Sequence, residues 1–179
     1  MNRVEALSII VADLAAKLSA RERADALVDA WSLRETDAGF LALPAELRRR
    51  MAELEGPDDP DDRLYDPLEA LSLRCQFRGV LNSYLEERLA AVGITVTVEG
   101  PIEPTVACPC CGFFSLEARN DLEICRVCLW EDTGDDPDLH SGPNHLTLRE
   151  GRANFVEHGV CEPTLRAATE LDLSRRYRR

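Results

Sequence analysis

The chain has 179 residues, enough for one or two domains, with 45% hydrophobic and 30% charged residues, ordinary for a soluble globular protein. Its 33 acidic residues against 21 basic ones give a net charge of -12, a field that repels phosphate backbones and suits a basic partner. No stretch approaches the roughly 18 uninterrupted apolar residues of a membrane helix, and residues 1–17 carry Glu5 and Asp13 inside an apolar pattern, unlike a secretion signal. A cytoplasmic protein with reduced thiols is the expectation, so its seven cysteines favour metal over disulfide. Lys17 is the only lysine, a skew that fits a GC-rich bacterial genome.

The first hundred residues read as helical. Val4, Leu7, Val11, Leu14 and Leu18 recur at three and four, one face of a helix. Ser19 with Glu22 forms a capping box that opens a second helix, placing Leu27, Val28 and Trp31 on one side. Thr36 to Gly39 reads as a loop. Pro44 suits a first helical turn, with Leu47, Met51 and Leu54 following and Gly56 as the stop. Residues 56–67 form a linker or long loop, because Pro57-Asp58-Asp59-Pro60-Asp61-Asp62 has nothing apolar to bury.

Asp66-Pro67 then opens what the pattern predicts as the longest helix, running to about Val92. Leu68, Leu71, Cys75, Leu81, Leu85 and Leu89 form its apolar face, and Gly93 its left-handed stop. Cys75 is read as a core thiol. Ile94, Val96 and Val98 alternate with Thr95, Thr97 and Glu99, predicting a short strand. Gly100-Pro101 and Pro104 mark a boundary. The expected organisation is an α-helical domain of three to four helices over 1–100, a cysteine-rich ribbon over 105–162, and a tail or short helix over 163–179.

Beyond the boundary, Cys108-Pro109-Cys110-Cys111-Gly112 and Cys125-Arg126-Val127-Cys128 carry the chemistry. As ligands, Cys108, Cys111, Cys125 and Cys128 give two C-x2-C pairs separated by thirteen residues, the spacing of a four-thiolate site. Each C-x2-C turn sets two thiolates on one side of an ion. Gly112 supplies the positive φ that such a turn requires. The spacer is hairpin-sized, with Phe113 to Leu116 and Leu122 to Ile124 as arms and Asn120-Asp121 as the turn. Zn2+ is the expected ion; iron in a rubredoxin-like centre is the alternative, because four cysteines suit both. With four protein ligands the site reads as closed and structural, and no catalytic residue is assigned.

The remaining candidates favour plainer readings. Cys110, between the ligands of the first knuckle, is a packing residue or spare thiol rather than a reactive one. Cys161 is a packing or loop thiol. His140, His145 and His158 are surface or hydrogen-bonding residues, and a thiol–imidazole pair of Cys110 with His145 is left for the fold to decide. Glu131-Asp132 and Asp135-Asp136-Pro137-Asp138 read as a solvated acidic loop, lacking the closing glutamate of a calcium loop. Trp130 is assigned to the small core against the ion. Thr147 with Glu150 opens a helix to about Glu157 that Gly159 ends.

The run from Ala107 to Glu162 resembles the bacterial cysteine-rich CPCC domain family. The resemblance rests on Cys-Pro-Cys-Cys-Gly at 108–112, Ile124-Cys125-Arg126-Val127-Cys128-Leu129-Trp130-Glu131-Asp132 and Asp136-Pro137-Asp138. It continues with Gly142-Pro143-Asn144, Leu148-Arg149-Glu150, Arg152-Ala153-Asn154-Phe155, Gly159 and Cys161-Glu162. It covers about a third of the chain and implies a small zinc-binding module; it does not imply an enzyme. By analogy, the CPCC pattern looks like one found in bacterial accessory proteins, including some near toxin systems. Leu129 stands where a simple ribbon has glycine, so a different turn is expected in the second knuckle.

Three functions compete. The acidic charge favours a protein-binding module for a basic partner, with an immunity-type protein against a basic toxin as its sharpest form. A nucleic-acid-binding ribbon draws support from Arg175-Arg176-Tyr177-Arg178-Arg179 but is opposed by the acidic residues of the module. An enzyme or electron carrier is disfavoured by the lack of a phosphate loop, an HExxH or a nucleophile elbow.

Overall fold

The computed structural model describes residues 1–33, 38–134, 136–168 and 173–179. Contacts divide the chain into two units, Met1–Phe77 with Leu85–Glu99, and Arg78–Tyr84 with Gly100–Arg179. Among the described residues there are seven α-helices, six before the ribbon and one after its cysteines. No helix among them is long and apolar enough to cross a membrane.

In the first unit, helix α1 (Arg3–Ala15) is capped by Asn2, whose side chain accepts the Glu5 N–H at 2.8 Å. It buries Ala6, Leu7, Ile10 and Val11, while Val4 is exposed. The packed face is thus rotated from the one that the Val4 spacing predicts. Helix α2 (Ala20–Trp31) begins at the expected capping box between Ser19 and Glu22, and buries Leu27 and Ala30 but not Val28. Thr36 and Asp37 of the predicted loop lie outside the described residues, and Gly39 sits inside the short α3 (Ala38–Ala42). Helix α4 (Ala45–Glu53) has Pro44 at its N-cap. It ends as Leu54 turns extended, two residues before the predicted stop at Gly56.

The predicted loop over 56–67 ends earlier, with a 3-10 turn at Arg63–Tyr65 leading into the next helix at Asp66, and ion pairs hold it in place. Arg23 donates from Nε to the Pro60 carbonyl at 2.7 Å and from a terminal nitrogen to Asp66 at 2.8 Å, and it pairs with the buried Glu69. Asp58 accepts from Tyr65 and pairs with Arg50. The acidic loop therefore serves the fold by giving Arg23 and Arg50 anionic and carbonyl partners. Leu27, Phe40, Leu47, Met51, Tyr65 and Leu68 form the core beneath it.

The helix predicted over 66–92 is two helices, α5 (Asp66–Cys75) and α6 (Asn82–Ala91). Gly79 adopts φ 71° between them, a left-handed conformation that a continuous helix excludes. Within α5 itself the buried face runs through Leu68, Glu69 and Leu73, so Cys75 is exposed rather than core. The strand predicted at 94–98 does not form: the segment keeps its alternation, with Val98 buried, but the bridge to the first residues of the chain lies at Glu99. Glu99 donates to the Met1 carbonyl at 2.9 Å and Arg3 donates to Glu99 at 2.8 Å.

In the second unit, β1 (Val106–Ala107) pairs antiparallel with β2 (Phe114–Leu116), and β3 (His140–Ser141) with β4 (Leu146–Thr147). Helix α7 (Leu148–His158) follows, opened by the Thr147/Glu150 box and closed by Gly159 at φ 76°. The arms 113–116 and 122–124 do not pair with each other as predicted. Each knuckle instead closes its own hairpin, β1 with β2 across the first, and Ile124 with Glu131 across the second. A C-x2-C turn is itself a tight reversal, so the strands that flank one knuckle are the natural partners.

Candidate metal centre

The two knuckles repeat one backbone design. In the first, the Gly112 amide donates to the Cys108 carbonyl at 2.9 Å and the Cys108 amide to the Phe113 carbonyl at 2.9 Å. In the second, the Leu129 amide donates to the Cys125 carbonyl at 2.8 Å and the Cys125 amide to the Trp130 carbonyl at 2.8 Å. The residue after each second cysteine is left-handed, Gly112 at φ 78° and Leu129 at φ 65°. The expectation that Leu129 would turn its knuckle differently is therefore overturned. Its ladder bonds impose the conformation at a cost of about 1–2 kcal/mol.

This design brings Cys108, Cys111, Cys125 and Cys128 together. All four are buried, and their Sγ atoms lie within 4.8 Å of one another. The Sγ–Sγ separations are 3.7 Å for Cys108 to Cys128 and 3.6 Å for Cys111 to Cys125. A tetrahedron with metal–sulfur bonds of about 2.3 Å has edges of roughly 3.8 Å, so the donor set fits a four-coordinate thiophilic ion. The four cysteines are positioned to bind a metal, and a bound cation would supply charge compensation that lets four adjacent thiolates coexist. The protein contributes donors as well: Ser115 Oγ lies 3.0 Å from Cys125 Sγ, and the Val127 amide points at the same sulfur from 3.4 Å. The neighbouring sulfurs of Cys108, Cys111 and Cys128, together with Ser115, hold the Cys125 thiol below its ordinary range.

Around the sulfurs the module is tied at three points. The Cys161 amide donates to the Cys128 carbonyl at 2.7 Å, and Asn154 donates to the Cys161 carbonyl at 2.8 Å. Trp130, 1% exposed, lies against Gly151 of α7, where a Cβ would come within 3.0 Å of its ring. Asp132 is fully buried and accepts from Arg119 Nε at 2.7 Å, from the Asn120 amide at 2.9 Å and from the Gly134 amide at 3.3 Å. Burial pushes that carboxyl up, but the bond from Arg119 and the two amides outweigh it and hold it below the usual range.

The other predicted candidates fall outside the cluster. Cys110 and Cys161 are buried beside it, and burial, then the nearby sulfurs of Cys110, Cys125 and Cys108, push the Cys161 thiol up to about 12. A thiol so raised is a packing group rather than a nucleophile. His140 and His145 are exposed, and no hydrogen bond joins His145 to Cys110 among the described residues. The acidic loop is not simply solvated. Asp132 is the buried anchor just described, Asp138 pairs with Arg149 at 2.8 Å, and Asp136 accepts from the Asp138 amide at 3.0 Å; Asp135 lies outside the described residues. Ser115 and Asp132 are the site's supports that sequence reasoning missed. A serine between Phe114 and Leu116 marks an inward-facing strand position occupied by a polar group, the one signal that pointed to Ser115.

Residues 106–173 match the family described as Cysteine-rich CPCC, which agrees with the motifs quoted above. No curated protein and no solved structure matches the chain.

Proposed function

We propose that this chain is a zinc-stabilised protein-binding module for a basic protein partner, and that the metal is structural. The single observation that carries the metal half is the set of four buried sulfurs held in two matching knuckles, which supplies all four ligands of a tetrahedral ion. Zinc is the ion proposed, as the usual occupant of a closed four-cysteine structural site, with iron in the same sulfurs the alternative that the metal analysis separates. The partner half is supported by the net charge of -12. Acidic surfaces of this kind accelerate capture of basic proteins. Neutralisation of a basic toxin, as an immunity protein does, is the narrower form of the reading.

Two measurements test it. Elemental analysis of the untagged protein purified without added metal should return about one zinc per chain and no visible colour. Iron with visible bands would replace the reading with electron transfer, and no metal would remove it. Cross-linking in the native cell, followed by capture at low and at high salt, should recover a positively charged protein whose retention falls as salt rises. A partner without net positive charge, or none that responds to salt, would overturn the partner half.

A further inference from the structure

The arginine-rich residues 175–179, the best sequence support for nucleic-acid binding, are seated in a groove. The Leu81 amide donates to the Arg176 carbonyl at 2.8 Å and the Phe114 amide to the Arg178 carbonyl at 2.8 Å. Arg176 closes a 3-10 turn (Leu173–Arg176), and two segments, Leu81 and β2, hold the carbonyls at its end and beyond it. Tyr177 between them is buried. The guanidinium carbons lie over aromatic rings, Arg176 at 4.8 Å from the Tyr84 centroid, Arg178 at 4.0 Å from Phe114 and Arg179 at 5.5 Å from Phe113. A cavity of about 320 Å³ continues beside Arg178, with Leu81, Glu103 and Thr105 among its walls.

We propose that this groove is a recognition site for an arginine-rich segment leaving a turn, filled here in cis by residues 176–179 and open to the same kind of segment from a protein partner. The backbone amides of Leu81 and Phe114 hold two of the segment's carbonyls without regard to its side chains. The three rings select planar guanidinium groups, which stack where an ammonium does not. The socket that buries Tyr177 selects an aromatic residue between two arginines. The occupant is positive and the chain around it is negative, so the charge favours an arginine-rich protein segment over a nucleic acid. The proposal rests on the basic-partner reading above and names the chemistry by which the partner is recognised. Residues 173–179 then act as an internal competitor that the partner displaces.

The test uses the full chain and a fluorescent peptide of residues 173–179, Leu-Ser-Arg-Arg-Tyr-Arg-Arg. Tyr177→Ala removes the side chain that holds the internal segment, so the variant should bind the peptide at least about tenfold more tightly than the wild type does. Arg178→Ala, at an exposed position that does not threaten folding, should give a gain of about threefold. A peptide with lysine in place of every arginine should bind the Tyr177→Ala chain about threefold more weakly than the parent peptide. Circular dichroism and metal content establish that each variant is folded. Equal binding to wild type and both variants, or binding to none of them, overturns the proposal. So does a single-stranded RNA that binds the wild type and is lost on Arg178→Ala, because the arginines would then be the reading groups. These outcomes are independent of the salt-sensitive capture: a groove that exchanges no peptide leaves a captured basic partner standing, and a failed capture leaves the exchange result standing.

Discussion

Leu129 and Gly112 hold the same backbone position, but only one of them has a side chain to strain. Gly112→Ala should lower the stability of the second unit by about 1–2 kcal/mol through conformation alone, since the nearest atom to its Cβ, Arg179 Nε, is 3.8 Å away. A calorimetric midpoint for that unit would show it. The cysteines should divide sharply. Cys125→Ser removes a ligand and should unfold the module while much of the helical signal survives, whereas Cys110→Ser should leave the metal content at its wild-type value. Circular dichroism with elemental analysis tests both, and a lost ion in Cys110→Ser would move the ligand assignment. Asp132 provides the pH dependence. Its folded pKa lies below the unfolded value of about 4, so its stabilisation is present above that value and is lost as the pH falls through the folded one. Asp132→Asn should therefore be less stable at pH 7, by about 1–3 kcal/mol for the lost charged partner of Arg119. It should also show a shallower loss between neutral and acid pH in Trp fluorescence.

At the scale of the elements, the sequence made visible whatever depends on neighbours a few residues apart. The Ser19/Glu22 and Thr147/Glu150 boxes, the stop at Gly159 and the two knuckles are all local geometry, and each stands where its residues predict. Elements set by distant contacts were less legible. Gly79 reads as a tolerable helix interruption, since Phe77 and Val80, three apart, would share a helix face; the break shows only in the left-handed φ of 71° at Gly79 and in Thr105, whose methyl lies where a Cβ at that position would stand. The arms around Asn120 look like one hairpin because their spacing suits one. Only the tight reversal at each knuckle decides that the partners lie across the cysteines. Asp132 resembled its solvated neighbours because nothing in sequence marks Arg119 as its partner. Gly151 shows how packing overrides propensity. Alanine favours a helix over glycine by about 1 kcal/mol, but here its Cβ would press on the Trp130 ring at 3.0 Å, and the buried indole has no room to retreat. Gly151→Ala should destabilise the second unit by about 1–3 kcal/mol, readable as a lower thermal midpoint with α7 intact by circular dichroism.

For the whole molecule, the metal should matter unequally. The first unit has an apolar core built on Leu27, Leu47, Tyr65 and Leu68 and owes nothing to the cysteines. The second unit is organised around them. Stripping the ion with excess chelator should therefore leave most helical signal in place while the amides of Cys125 and Cys161, bonded to the Trp130 and Cys128 carbonyls, lose their hydrogen-exchange protection. Loss of protection across both units together would contradict the division.

The division also follows an unexpected line along the chain. Residues 78–84 are grouped with the ribbon although they stand between α5 and most of α6 in sequence. They give it the Leu81 amide and the Tyr84 ring that receive Arg176, and Arg78, which pairs with Glu117. A fragment excised at the family boundaries, or at Gly100–Pro101 where composition suggests a cut, would leave those parts behind. Dissecting this protein for crystallisation or for partner screening by the usual rule, one motif per fragment, would yield a metal-loaded piece with its arginine seat dismantled, and a negative binding result from it would say nothing of the intact chain.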